Sequence, residues 1–554
     1  AVGILAYELF AGWHPFAFLN KLSIEELLQA EPDWQYLDLS PQLLTVLQRL
    51  LAKASQDRYP DATAVIEALA AVSAQPILLE TVATRESFLQ AAPFVGRQSE
   101  LVQLSAALEQ AWQGQGSSWL IGGESGVGKS RLLDQVRTQA LVKGGLVLRG
   151  QAQEGGSAYH LWLESLHWLL LSAQPTLSDA AILKPLLPSV ETLVEQPVPD
   201  APALEATAAQ NRLRNTVREL FQRGTQLQPI VLLLEDLHWA DQNSLDLMRW
   251  LLEKWFVDLT SQSRLLLLAD YRSDETPDLP TNLPATHSLL LQRLNADSVS
   301  ELSAAILGHA GQQPHLVNFL QQESEGNTFF MVEVLRSLAE EAGLLDRVST
   351  MQLPGQIFPG GIRQLVQRRL SRVAEDDQSL LRFAAVAGRQ LDLQLLRSFA
   401  PDHLDFEGWL ARCANAALLE VQEGRWRFNH DKLREGILNE LHQMLRVQLH
   451  QSIALRIEEI YGEQLATYYG DLAYHYGQAG STAAERRYLL LAAEQAQRLY
   501  ANNSAIAYYE RLLTLIENEH ERSELLLRLG QVFKLVGRWP DSENLFRQAL
   551  ALSE

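Results

Sequence analysis

Cysteine is nearly absent: Cys413 is the single one among 554 residues. No disulfide can close within the chain and no cysteine-built zinc site can form, which fits a reducing cytosol. Long apolar runs are lacking as well. Ile230 to Leu234 and Leu265 to Ala269 fall far short of the ~20 residues a membrane helix needs, and the first residues carry no basic n-region. A soluble, cytoplasmic protein with no membrane partner is expected. Positive charge is scarce too: 46 Lys and Arg stand against 67 Asp and Glu, a net charge of −21. Binding to a phosphate backbone rests on clustered cations, so nucleic acid is a poor partner for such a surface. The one basic run, Arg363, Arg368, Arg369 and Arg372, is expected to be a solvated helix face, the alternative being a DNA-binding transcriptional regulator that uses this run.

What is present is too much chain for one core, and its length predicts roughly three to four domains. It starts at Ala1 inside an amphipathic pattern and ends inside a helical one, as a fragment would. Residues 1–72 predict a small all-α piece, with Val2, Leu5 and Leu9 on one face and Leu43, Leu47, Leu50 and Leu51 on another. Residues 73–93 lose that regularity and are expected to be a linker. From 94 to 290 short apolar runs (Trp119–Ile121, Leu146–Leu148, Ile230–Leu234, Leu265–Ala269) alternate with helical stretches. This is the pattern of parallel strands buried on both faces. The prolines between Gln174 and Ala206 predict an irregular insertion. Residues 291–450 are mostly helical, with a short hairpin expected at Leu418–Glu420 and Trp426–Phe428 around Glu423-Gly424.

Residues 451–554 are helical throughout. Leu526, Leu529, Gly530, Phe533, Ser542, Phe546 and Ala549 fit the tetratricopeptide template of large and small positions. Ala505, Tyr509 and Leu512 stand about one 34-residue period earlier. An ordinary αα-hairpin is the alternative. Either way the surface suits a protein partner or another ligand.

The sharpest feature is Gly123-Glu124-Ser125-Gly126-Val127-Gly128-Lys129-Ser130, the GxxxxGK[ST] loop, set between an apolar run and the helical stretch opened by Arg131. Glycines in such a loop turn successive N–H groups toward the β-phosphate of ATP or ADP, and the following helix points its positive end there. Lys129 would bridge the β- and γ-phosphates and the Ser130 hydroxyl would ligate Mg2+. Such a loop needs an acid at the end of a neighbouring strand, and Glu235-Asp236 closes the run Ile230–Leu234. Glu235 is assigned to the metal side and Asp236 to water activation, with the exchange of roles, or a mere strand-end cap, left open. Arg272 ends the next apolar run, where it would sense the γ-phosphate or else stand in solvent.

With these motifs in view, residues 94–450 resemble the signal-transduction ATPases with numerous domains, the STAND branch of the AAA+ superfamily. Pro93-Phe94-Val95-Gly96-Arg97 resembles the family's adenine-cradling entry motif, and Glu235-Asp236-Leu237-His238-Trp239-Ala240-Asp241 its extended Walker B, with Glu235 standing where Asp is usual. Gly326-Asn327-Thr328-Phe329-Phe330 is similar to the lid motif GNPF with Thr328 in place of proline, and Phe428-Asn429-His430-Asp431 resembles the winged-helix His-Asp motif that senses a diphosphate. A His cap on a helix start is the alternative for His430. The resemblance implies a helical lid, a winged helix, an ADP/ATP switch and self-association on activation. Residues 1–72 resemble the C-terminal end of a serine/threonine protein kinase: Val2–Gly12 with Pro15-Phe16 is similar to the helix after the activation segment, and Asp57-Arg58-Tyr59 to the last helix. In that pattern Arg58 pairs with a glutamate upstream of residue 1. The kinase catalytic segments would also lie upstream, so kinase activity would belong to a longer parent, one resembling the large bacterial proteins that string kinase, STAND ATPase and helical repeats together.

Overall fold

The computed structural model describes residues 2–16, 31–60, 62–73, 89, 94–257, 263–348, 350–354, 361–401, 403–422 and 424–553. They gather into two units, Ala1–Gln90 and Ala91–Glu554. The predicted linker at 73–93 and Pro93 of the entry motif lie, but for Ser73 and Leu89, outside the described residues.

The first unit holds helices Val2–Ala11, Pro41–Leu50 and Ala62–Ser73. The second starts where it does because Ser40 accepts from the Leu43 amide at 3.3 Å and Pro41 presets the first turn. Tyr7, Leu37 and Leu47 form its core, with the Tyr7 hydroxyl donating to the Asp33 carbonyl at 2.6 Å. Val2, Leu5 and Leu9 do share one face, and it is the outer one: they are 64%, 60% and 77% exposed, while Gly3 and Tyr7 are turned inward. A Cβ on Gly3 would come within 2.9 Å of Leu51, so it is close packing, not the leucine spacing, that selects the buried face. Arg58 donates to the carbonyls of Ala52 and Lys53 at 2.7 and 3.1 Å, closing the loop between two helices.

The second unit is built on a five-stranded parallel sheet of β1 (Gln115–Gly123), β2 (Leu146–Gln151), β3 (Ile230–Glu235), β4 (Ser263–Arg272) and β5 (Thr286–Leu290). The order is β2-β3-β4-β1-β5. All six residues of β3 are buried, as a central strand covered on both faces demands. Alternation sorts the side chains. Ile121, Val231, Leu233, Leu266 and Leu268 pack with Leu132, Leu133 and Val136 of helix Lys129–Val142. Leu120, Leu232, Leu234, Leu265 and Leu267 face the opposite core with Trp162, Phe221 and Met248. By the same parity Glu235, Asp270 and Arg272 leave the sheet on the side of helix Lys129–Val142. The register pairs Gly123 with Arg272, which brings the end of β4 alongside the phosphate loop.

The proline-rich segment is more ordered than its composition suggested. Helices Leu177–Leu183 and Val190–Leu193 form within it, the first held by a capping box between Thr176 and Asp179. Helices then run to Phe406–Asn415, followed by the antiparallel pair β6 (Leu419–Gln422) and β7 (Arg425–Phe428) and helix Asp431–Glu440. The basic run needs correction at one position: Arg369 is 3% exposed and bound to Glu333. Arg363 and Arg372 are exposed and Arg368 is half-buried, with Arg368 and Arg372 paired to Glu340.

From Gln443 onward six helices follow one another, ending in Glu519–Leu535 and Trp539–Ser553. The last two meet where Gly530 lets Phe546 in, since a Cβ there would lie 2.5 Å from the ring. Ser542 donates to the Gly530 carbonyl at 2.8 Å. Helix Asn502–Leu513 docks on helix Gln242–Leu252 of the sheet region, with Asn243 donating to Ser504 at 2.6 Å and Asn503 to Asp246 at 2.7 Å. Among the described residues no helix is long and apolar enough to cross a membrane.

Candidate nucleotide site

The loop 123–130 connects β1 to helix Lys129–Val142, with Gly128 as N-cap in the left-handed region at φ +103. The first amides of a helix have no carbonyl behind them and await another acceptor. The loop's own carbonyls are turned the other way and taken. Asn327 donates to the Ser125 carbonyl at 3.0 Å, the Phe329 amide to Gly126 at 3.0 Å, Thr328 to Val127 at 3.4 Å and Arg97 to Val127 at 3.2 Å. With those carbonyls engaged, the amides of Ser125 to Ser130 make no backbone hydrogen bond outside the helix among the described residues. A concave row of N–H groups of this kind is a fit for a phosphate. Gly126 is required by both its φ of +88 and the 2.6 Å that would separate a Cβ from Asn327 Oδ1.

Lys129 is 9% exposed and donates to the carbonyls of Gly123 and Glu124 at 2.8 and 3.0 Å. Burial lowers its pKa, and the carboxylates of Asp270 and Asp236 work in the opposite direction. Asp270 accepts the Asp236 amide at 2.6 Å. Burial, then the charges of Asp236 and Glu235, push its pKa up to about 7. Asp236 sits in the left-handed region at φ +59, and its Oδ2 accepts from Gln151 at 2.9 Å and Arg389 at 2.6 Å. Glu235 is taken by Arg149. The structure thus gathers Lys129, Asp236 and Asp270, while the carboxylate expected on the metal side carries an arginine. Ser130 is half-buried at the start of the helix. Among the described residues no three His, Cys, Asp or Glu converge on a metal position. Ser130 and Asp236 are therefore a fit for Mg2+ only if a bound phosphate completes its shell.

Arg272 is 6% exposed, which removes the solvated alternative. It donates to Glu275 at 2.6 Å, Glu435 at 2.8 Å and Asp431 at 3.0 Å, and against the effect of burial those carboxylates raise its pKa. His430 stacks on Phe329 with centroids 3.9 Å apart. Its Nδ1 accepts the Lys432 amide at 3.1 Å, so it does cap its helix. That bond also fixes the tautomer: the neutral ring carries its proton on Nε2 and remains a donor there. Burial holds its pKa down to about 3, keeping it neutral.

The entry residues lie behind the loop. Val95 is half-buried, and Gly96 at φ +74 packs on Ser298 and Leu294. Arg97, besides Val127, reaches Glu100 and the Gln292 carbonyl. Glu124 pairs with Arg293 at 2.9 Å, and burial lowers the pKa of Arg131. Sequence reasoning missed Asp270, Gln151 and Arg389. Asp270 was within reach, because it shares β4 and parity with Arg272.

The comparisons come to the same place. Residues 93–268 match the family model described as AAA ATPase domain. The chain therefore carries an AAA ATPase domain on a parallel P-loop core, within a protein otherwise rich in helix. An uncharacterized protein of Rhizobium meliloti (strain 1021) is 25% identical over 462 residues, covering 76% of this chain and 43% of that protein. The chain thus spans less than half the length of the curated relative it matches. Among solved structures, a STAND protein with a tetratricopeptide repeat sensor from Pyrococcus horikoshii aligns at TM-score 0.43 and 12% identity, over 86% of this chain and 66% of that one. The Aeropyrum pernix ORC1 protein, solved in complex with DNA, aligns at TM-score 0.31 and 14% identity, over 65% of this chain and 98% of that one.

Proposed function

We propose that this chain binds ATP and ADP with Mg2+ and works as a nucleotide-dependent switch, a STAND-type signalling ATPase with slow turnover. The observation that carries it is the loop 123–130, whose carbonyls are tied back by Asn327, Thr328, Phe329 and Arg97 while Lys129 faces Asp236 and Asp270. In this reading Lys129 holds the β- and γ-phosphates, Ser130 the metal, and Asp236 orients the attacking water. Val95, Gly96 and Arg97 flank the base. Glu235, tied to Arg149, supports the metal only indirectly, and Arg272 and His430 couple the phosphate end to a winged helix formed by 361–440. Bound Mg2+ would supply charge neutralisation on the phosphates. Residues 1–72 would be the end of a kinase domain, and 451–554 tetratricopeptide-like repeats that receive a protein or small ligand and favour one nucleotide state over the other.

The test is to purify the full chain, denature it and identify any released nucleotide by chromatography, then add ATP and time phosphate release. Near-stoichiometric ADP with slow turnover is expected, and Lys129→Ala abolishes binding. Unchanged affinity in that variant refutes the assignment. A second reading, a scaffold whose nucleotide is structural, is favoured by the Arg149–Glu235 pair. Steady hydrolysis that disappears in Asp236→Asn would dispose of it.

A further inference from the structure

Arg389 follows helix Glu375–Ala387 and is anchored before its side chain begins to reach. Its carbonyl accepts the Phe428 amide at 3.1 Å, the Leu391 amide donates to the Trp426 carbonyl at 2.8 Å, and Gln390 bridges to Arg427. Residues 389–391 are thereby laid along β7, the strand that leads into His430 and Asp431. From that fixed base the guanidinium crosses to the end of β3. Nη1 donates to Asp236 Oδ2 at 2.6 Å, and Nε lies 2.9 Å from Asp431 Oδ1, an ion pair without hydrogen-bond geometry. The side chain is 12% exposed. Asp431 in turn holds Arg272, which holds Glu435. A line of alternating charges runs from the strand end into helix Asp431–Glu440.

The oxygen that Arg389 occupies matters. Asp236 Oδ2 already accepts from Gln151, so a second, cationic donor fills it. A carboxylate oxygen satisfied twice and neutralised by a buried cation is a poor acceptor for a water proton. We propose that Arg389 is a positioning residue acting through Asp236. By tying up Oδ2 and offsetting its charge it weakens the water-orienting carboxylate in this arrangement, and full turnover requires the segment carrying β6 and β7 to withdraw it. This rests on the ATPase reading above. The competing role, a cation donated to the phosphates during the reaction, predicts the opposite sign.

The experiment compares the full chain with Arg389→Gln and Arg389→Lys, reading kcat and KM for ATP, bound nucleotide and melting temperature. The Gln variant is expected to raise kcat about 5- to 100-fold, the range of a typical intramolecular coupling, with KM within about twofold. The Lys variant, which keeps the cation but not the fork, should rise less. A general loss of structure lowers kcat, so a gain is not produced by misfolding. An Arg389→Gln chain with wild-type nucleotide content and unchanged or lower kcat overturns the inference. Should that variant fail to fold, unchanged or lower kcat in Arg389→Lys overturns it. If the wild type turns over ATP and neither variant is faster, only this inference falls. Wild type and variants that all fail to bind nucleotide would remove the ATPase reading and the inference together.

Discussion

Replacing Arg369 by Met should be among the most damaging single changes away from the phosphate loop, and the reason lies in three buried side chains. Glu333, Arg336 and Arg369 are 4%, 5% and 3% exposed. Arg369 donates to Glu333 from two nitrogens, one at 3.1 Å, and to the Ala417 carbonyl. Burial alone would raise the pKa of Glu333, yet Arg336 and Arg369 outweigh it and hold it below the usual range. Removing Arg369 leaves a buried carboxylate with one arginine and strips Ala417 of a donor. Breaking a buried pair from one side costs about 3–5 kcal/mol. Arg372→Ala, which breaks a pair with Glu340 at 27% and 23% side-chain exposure, should cost under about 1 kcal/mol. Urea midpoints of the two variants against wild type give the comparison. The pH sign follows. A depressed carboxylate stabilises above its unfolded pKa of about 4.3 and loses that contribution as pH falls through its folded value. The Arg369→Met chain, with Glu333 shifted upward, should therefore close part of its deficit on acidification from pH 7 towards 5. Equal small losses for Arg369→Met and Arg372→Ala would refute the argument. An undamaged Arg369→Met chain that loses duplex DNA binding would return the run to a nucleic-acid role.

Two further outcomes are expected. Gly126→Ala forces a Cβ into the left-handed region and to 2.6 Å from Asn327 Oδ1, costing about 1–2 kcal/mol in backbone alone. ATP affinity should fall by about tenfold or more, and an unchanged titration would mean that Asn327 does not brace the loop. His450 and His475 share a bond between Nδ1 atoms at 2.9 Å, and burial holds their pKa values down to about 4 and about 3. Below about pH 6.5 the unfolded chain takes up protons that the folded pair refuses, so stability should fall by up to about 1.4 kcal/mol per pH unit for each histidine. A melting curve series from pH 7 to 5 that is no shallower in His475→Gln than in wild type would dismiss the pair as the cause.

The phosphate loop was legible because its chemistry is local: eight consecutive residues fix both the turn and the donor row. Strands β3 and β4 were legible because burial on both faces leaves continuous apolar runs, and the edge strand β2 because it opens on Leu146-Val147-Leu148. The edge strand β5 was not. Thr286, His287 and Ser288 open it with polar residues and three of its five residues are exposed, so its apolar part is confined to Leu289-Leu290 at the end. The polar start of β1 hid for a related reason, since Ser118 meets Thr286 across the sheet at 3.3 Å and not an apolar layer. Which side of the first helix is buried was not legible, because periodicity groups Val2, Leu5 and Leu9 on one face without saying which face is covered, and Gly3 decides that by contact with Leu51.

The parts of the site that stayed hidden are those whose partner is far away in sequence. Asp236 and Arg389 are 153 residues apart, and Arg272 and Glu435 are separated by 163. No spacing rule reaches that distance. A charged residue looks the same in sequence whether it is solvated, as Arg363 is, or locked to a carboxylate, as Arg369 is. What distinguishes them is burial, and burial of a charge is tolerated only where its counter-charge is delivered by the fold. The line Asp236–Arg389–Asp431–Arg272 is such a delivery. Each member is costly alone, so if Arg389 is withdrawn as proposed the others are expected to exchange partners with it.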